Sequence, residues 1–143
     1  YAQKSKGAYI RKNSVTKKLK VKNTSTISNS IGMIHPLNQE NNKLSFFLDN
    51  IKIKKRVFDN SAGMRIVNIA NAKADFYIEA SYKTSKWDTC GGQVILEEAG
   101  GQISDIFGNK LDYTQKYSKW KNPFIISNKK IHKKLITKIK RYI

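Results

Sequence analysis

Asp88 stands where a helix should begin. It follows Trp87 and precedes Thr89-Cys90-Gly91-Gly92, with the apolar run Val94-Ile95-Leu96 further on. A carboxylate in that place can cap the helix and still turn one oxygen outward. A metal ion held by that oxygen would lie beside a helix N-terminus. Free N–H groups and the helix dipole favour phosphate oxygens there. By spacing alone, a plain N-cap with no ligand is the favoured reading of the same aspartate. Gly91 and Gly92 inside a helix cost roughly 1 kcal/mol each against alanine, which points to close approach by another element or a ligand. Glu97 and Glu98 lie about 13–15 Å along the same helix at 1.5 Å per residue, too far to share an ion with Asp88. His35 and His132 are far apart in sequence and read as surface or capping residues rather than a catalytic pair. Cys90 reads as a small packing residue, and Trp87 as a core anchor beside the site.

The elements that must position Asp88 follow from pattern. Gly7 to Ile10 is a short strand. Lys18, Lys20 and Lys22 alternate with Leu19 and Val21 at the period of a half-exposed strand, and Asn13-Ser14 turns the chain between the two. Pro36 suits the first turn of a helix carrying Leu37, Leu44, Phe47 and Leu48. Residues 54–58 read as a strand. Asn60-Ser61-Ala62-Gly63 reads as a small-residue turn, followed by the helical pattern Met64, Ile66, Val67, Ile69 and Ala70. Asp75 to Glu79 reads as a buried strand. Gly100-Gly101 should stop the Asp88 helix. Ile103 and Ile106 suggest a further strand, Gly108-Asn109 a turn, and Phe124 to Ile126 a last strand. Ser127-Asn128 caps a closing helix with Ile131, Leu135 and Ile139 on its apolar face. Strands alternating with helices imply an α/β or α+β layered sandwich, a mixed sheet covered by helices.

Composition bounds the rest. The chain has 143 residues, enough for one domain with its own core. One cysteine excludes a disulfide framework and a cysteine-rich zinc site. No apolar run reaches the ~20 residues of a membrane span. With no apolar leader after the first lysines, a cytoplasmic protein is expected, with no membrane partner. The net charge is +18, and it sits at the ends. Residues 1–22 carry eight Lys/Arg and no acid, residues 110–143 carry eleven and one acid, and the stretch between is neutral. Lys, Asn and Ile make up 55 of the 143 residues, so drift toward A/T-rich codons accounts for much of the charge. Non-specific nucleic-acid binding by the basic ends remains open.

Five stretches together carry a resemblance. They are Tyr1 to Tyr9, Ser61-Ala62-Gly63, Ala72 to Glu79, Trp87-Asp88 with Glu98-Ala99-Gly100-Gly101, and Asn128 to His132. In this order they resemble the C-terminal half of the inositol monophosphatase family. The resemblance implies that family's layered fold and a magnesium-dependent phosphomonoesterase. It implies that Asp88 ligates Mg2+, that Glu79 contacts substrate hydroxyls, and that Ser61, Ala62 and Gly63 offer N–H groups and a hydroxyl near the substrate.

The family's other metal ligands, an E-E pair and a D-P-[IL]-D-G-[ST] motif, belong to its N-terminal half and have no counterpart in these residues. Residues 1–143 are therefore expected to form a single C-terminal domain that needs that half as a partner, inactive alone. A homodimer is a family habit. Glu79 favours a small polyol or sugar phosphate, inositol phosphate by default. Trp87-Asp88-Thr89 with Gln93 also resembles the 3'(2'),5'-bisphosphate nucleotidase branch. A third reading is an inactive remnant that serves as a basic RNA-binding module.

Overall fold

The computed structural model describes residues 1–34 and 42–143. The helix start assigned to Pro36, and His35, fall outside them. Three short strands, β1 (Ala2–Gln3), β2 (Gly7–Lys12) and β3 (Val15–Lys18), form an antiparallel meander. Asn13 and Ser14 make its two-residue turn with φ of 47° and 65°, the left-handed geometry that matches strand twist. The β3 ladder stops at Lys18, short of the alternating run read through Lys22. Beyond it Leu19 is buried, and Val21 N–H donates to the Ala99 carbonyl instead.

The main sheet has five strands in the order β5-β4-β6-β8-β7. They are β4 (Ile31–Met33), β5 (Lys55–Val57), β6 (Phe76–Glu79), β7 (Gly101–Asp105) and β8 (Phe124–Asn128). β4 runs parallel to β5 and β6, and β8 is antiparallel to both β6 and β7. Four helices cover it: α1 (Asn42–Asn50), α2 (Ala62–Ala70), α3 (Lys86–Glu98) and α4 (Lys129–Ile139). Two apolar clusters lie on opposite sides. Tyr77, Phe124 and Ile126 pack with Ile66 and Ile69 of α2 and Leu96 of α3. Phe76, Ile78 and Ile125 pack with Leu44 and Phe47 of α1 and Ile131 and Leu135 of α4. Successive strand residues point to opposite faces, so Glu79 shares the α2/α3 face with Tyr77. The layered, mixed-sheet architecture read from the sequence is the one observed. None of the described helices is long and apolar enough to cross a membrane.

Asp75 joins three strands at one end of the sheet. Its fully buried carboxylate accepts from Ile31 N–H at 2.8 Å and from Asn128 Nδ2 at 2.9 Å. Asn128 in turn caps α4, its Oδ1 accepting from Lys130 and Ile131 N–H. His132 lies in the first turns of α4 and is a core residue, not the surface or capping group expected. It is 2% exposed, with Ser104 Oγ 2.8 Å from Nε2 and Ser127 Oγ 2.7 Å from Nδ1. Its neighbours along α4 face inward, and a ring three residues into that stripe is carried in with them. Burial pulls its pKa from 6.5 down to about 4.

Gly92 is where α3 meets α2. A Cβ built there would lie 2.7 Å from Ile66 Cδ1 and 3.3 Å from Ile66 Cβ, whereas one at Gly91 meets nothing within 4 Å. Gly100, at φ +88°, turns the chain out of α3 into β7.

Two measurements test this packing. Gly92→Ala should destabilise the chain by about 1–3 kcal/mol through overpacking, while Gly91→Ala stabilises it by up to about 1 kcal/mol. Urea titration of both reads the contrast, and equal effects would contradict the helix contact. For His132 the folded pKa lies below the unfolded one, so the unfolded chain binds more protons between pH 6.5 and 4. Stability from this group is lost as pH falls through that window, by roughly 3 kcal/mol in all. His132→Gln should lack this part of the acid-induced loss.

Candidate functional site

α2 and α3 lie side by side and parallel, since Gly92 rests on Ile66 while Ile95 and Val67 border one cleft. Their N-termini therefore open at the same end of the sheet, the end where β6 finishes at Glu79. Each start is built by short-range hydrogen bonds. Ser61 caps α2, its Oγ accepting from Met64 N–H, and its own N–H donates to Asp59 Oδ1 at 2.9 Å. Ala62 and Gly63 are the first residues of α2 rather than a turn before it. Their N–H groups have no carbonyl one turn back to bond and point out of the helix end.

α3 begins at Lys86 with Ser85 as its N-cap, two residues before the start expected at Asp88-Thr89. Asp88 sits in the first turn and reaches back: its Oδ2 accepts from Ser85 N–H at 2.8 Å. No described donor is recorded on its other oxygen, which suits one metal ligand. It has no metal-binding set around it, for among the described residues no group of three His, Cys, Asp or Glu could hold an ion. Thr89 is buried and serves as a hub. Its Oγ1 donates to Lys86 O and accepts from Tyr113 Oη at 3.1 Å and Trp120 Nε1 at 3.2 Å. The loop bearing Tyr113 and Trp120 clasps the helix start further. Lys86 N–H donates to Ser118 O, and Lys86 Nζ donates to the Tyr113 and Gln115 carbonyls.

Two sequence assignments are corrected here. Trp87 is 68% exposed, so it is no core anchor; that place belongs to Trp120, which is 6% exposed. Cys90 is exposed rather than the small packing residue expected. Trp87, Cys90, Gly91 and Val94 form one outward stripe of α3, three or four residues apart.

Glu79 is 2% exposed and its acceptor capacity is taken up by the chain itself. Oε1 accepts from Ser81 N–H at 2.8 Å and Ser81 Oγ at 2.6 Å. Oε2 accepts from Tyr77 Oη at 2.9 Å and Thr84 Oγ1 at 2.5 Å. Those four donors fill the roughly four lone-pair sites of a carboxylate. The Arg65 guanidinium lies 3.6 Å away and also donates to Tyr77 Oη at 2.6 Å. Burial alone would raise the Glu79 pKa, but the hydrogen bonds from Ser81, Thr84 and Tyr77 outweigh it and hold it below the ordinary value. Arg65 also donates to the Asp59 and Asn60 carbonyls, just ahead of Ser61.

The structure thus brings Ser61, Ala62, Gly63 and Asp88 to one end of the α2/α3 layer. It places Glu79 beneath them, in the wall. The roles of Arg65, Tyr77, Ser81 and Thr84 escaped the sequence reading. Arg65 did leave a signal, because it falls in the buried stripe of α2 with Ile66, Ile69 and Ala70. A cation there requires a buried partner of opposite charge.

A model of the inositol monophosphatase family matches residues 1–143. Human 3'(2'),5'-bisphosphate nucleotidase 1 is 46% identical over 52 residues, 36% of this chain and 17% of that protein. The bifunctional NADP phosphatase/NAD kinase of Methanococcus maripaludis is 31% identical over 142 residues, 95% of this chain and 24% of that protein. Inositol monophosphatase II of Staphylococcus aureus superposes with a TM-score of 0.71 at 26% identity, covering 85% of this chain and 44% of that one. Structures of the SaIMPase-II enzyme bound to inositol monophosphate and to 2'AMP are also similar, with TM-scores of 0.71 and 0.70 and identities of 25% and 22%. They cover 85% and 90% of this chain and 45% and 50% of theirs. This chain spans about half the length of those solved structures and less of the curated relatives.

Removing the Glu79 carboxylate leaves the Arg65 cation buried without its counter-ion. Glu79→Ala should therefore cost roughly 3–5 kcal/mol of stability. Thr84→Val, which removes one donor and leaves the charge pair, should cost about 1–2 kcal/mol. Denaturant midpoints check both; a Glu79→Ala chain as stable as the native one would remove the carboxylate from its structural role.

Proposed function

This chain belongs to the inositol monophosphatase family, and on that premise we propose that it forms the C-terminal domain of a metal-dependent phosphomonoesterase whose substrate is a nucleotide carrying a phosphate on its ribose. The observation that carries the reading is the pair of helix N-termini flanking Asp88. Ala62 and Gly63 N–H groups and the two aligned dipoles favour a phosphate group at that end, and the Asp88 oxygen not engaged by Ser85 is available to a cation.

Asp88 would hold a magnesium ion as one ligand of several. Such an ion, when bound, would supply activation of a water for attack on phosphorus and stabilisation of the leaving oxygen. Magnesium keeps near-octahedral oxygen coordination, so the remaining carboxylates must come from a companion segment. Ser61 orients the substrate from its cap position, and Ala62 and Gly63 hold the non-bridging oxygens.

Glu79 decides the substrate class. The resemblance assigns it to substrate hydroxyls and makes inositol phosphate the first choice. Its acceptor sites are instead engaged by Tyr77, Ser81 and Thr84, which leaves no free carboxylate to grip a polyol ring. That, with the nucleotidases among the relatives, moves a ribose phosphate ahead. Inositol phosphate stays as the second reading because similar staphylococcal structures were solved with each kind of ligand.

The test measures phosphate release by the complete protein, with magnesium, from adenosine 3',5'-bisphosphate and from inositol 1-phosphate. The nucleotide should be preferred by at least about tenfold in kcat/KM. Asp88→Asn should lower kcat by about 100-fold or more, while an amide at this capping position costs less than about 1 kcal/mol of stability. Full activity in Asp88→Asn overturns the site. Preference for inositol phosphate overturns the substrate alone.

A further inference from the structure

The C-terminal basic run lies on the side of the sheet opposite the α2/α3 layer that carries Asp88. α4 covers that side and buries Ile131, Leu135 and Ile139 completely. Between Lys129 and Arg141 the chain carries seven cations and no acid. Lys130, Lys133, Lys134, Lys138 and Arg141 line an open groove of about 530 Å³ with Thr137, floored by the lysines' own aliphatic stems. Lys134 Nζ donates to the Ser25 carbonyl at 2.6 Å, which draws in the segment bearing Lys20 and Lys22. That segment passes the end of α3 farthest from Asp88, where Val21 N–H meets Ala99 O.

The arrangement works against itself unless an anion lies on it. Lys129 and Lys130 occupy the first turn of α4, where the helix dipole disfavours cations. Lys130, Lys134 and Lys138 are like charges four residues apart, which repel. Among the described residues none of these cations forms an ion pair with a carboxylate; the ion pair found there joins Arg65 and Glu79. The sheet lies between the helix that bears the groove and the helix that bears Asp88, so the groove is no part of that site.

We propose that this face is a docking track for the phosphate backbone of a nucleic acid. Cations recurring along a helix, roughly one turn of 5.4 Å apart, present a line of phosphate contacts. No base-reading amide or aromatic lines the groove, so binding is independent of sequence. A bilayer fits less well. The apolar stripe of α4 is spent inside the protein, and none of the exposed large apolar side chains lies on α4, so nothing is left to insert.

The test uses the full chain and a fluorescein-labelled oligouridylate of about twenty nucleotides, titrated by anisotropy from about 50 to about 300 mM salt. The chain combining Lys130→Gln, Lys133→Gln, Lys134→Gln and Lys138→Gln should bind at least about tenfold more weakly. Its log–log salt slope should be shallower by about 3, at ~0.7 for each phosphate no longer neutralised. A control combining Lys110→Gln, Lys116→Gln, Lys119→Gln and Lys121→Gln removes the same charge elsewhere and should bind within about twofold of the native chain. Arginine at the four α4 positions should retain binding and guards against a folding defect. Equal weakening by both glutamine sets would reduce the effect to net charge and overturn the track. Absence of binding at the lowest salt would overturn it too, as would capture by phosphatidylserine vesicles without capture of the oligouridylate.

Discussion

The Arg65–Glu79 pair, with Tyr77 between its members, is the constraint on which the rest of the α2/α3 layer depends. Two buried charges are tolerable only when each meets the other and its remaining hydrogen-bonding capacity is filled. Filling it recruits the loops on either side. Arg65 takes the Asp59 and Asn60 carbonyls and so sets the approach to the Ser61 cap. Glu79 takes Ser81 and Thr84 and so sets the approach to the Ser85 cap. One charge pair thereby fixes the starts of two helices against a single strand. That is what allows Ala62, Gly63 and Asp88 to hold a common position though they come from separate helices.

α3 is held from further directions. The loop from Tyr113 to Trp120 grips its first turn through Thr89 and Lys86. Gly92 seats its middle on Ile66. At its far end the Glu98 carboxylate accepts from Ser5 and Gly7 N–H at 2.7 and 2.8 Å, anchoring the turn between β1 and β2. Those backbone donors hold the Glu98 pKa below its ordinary value. A helix fixed at start, middle and end is a rigid carrier for Asp88, as a metal ligand requires. The stripe of Trp87, Cys90, Gly91 and Val94 takes no part in this and faces outward.

The periodicity of apolar residues made the helices and strands legible, because burial of one face or stripe decides both. It placed β6, β8 and α4 nearly to the residue. Boundaries failed where hydrogen bonding competed with pattern. Asp88 looked like a cap because it is the acid nearest the helix start, but Ser85 three residues earlier takes that place and Asp88 answers it from inside the first turn. Trp87 looked like core by its size, yet its position on the helix turns it outward. His132 looked like surface by its polarity, although two serine hydroxyls make its burial tolerable. The family motifs singled out Ser61, Ala62, Gly63, Glu79 and Asp88, but not the environment of Glu79. Its donors Tyr77, Ser81 and Thr84 are ordinary residues one by one, and only the fold converges them on one carboxylate.

The use made of the acids explains why, on the proposed reading, this chain would contribute a scaffold and a single ligand. Asp75 joins strands, Glu79 closes the charge pair, Glu98 anchors the turn between β1 and β2, and Asp59 accepts from Ser61 N–H and Asn68 Nδ2. Asp105 accepts from Phe107 and Asn109 N–H and so shapes the turn after β7. Each of these carboxylates is committed to internal donors, which lowers its availability to a cation. Asp88 differs in that only Oδ2 is engaged by a donor among the described residues, the Ser85 N–H. On the proposed reading, a hard cation at Asp88 would be oriented by this chain. Its affinity must come from carboxylates elsewhere, since one ligand replaces only one water of the hydration shell. Orientation and affinity are thus separable in this architecture, and the described residues are organised for the first.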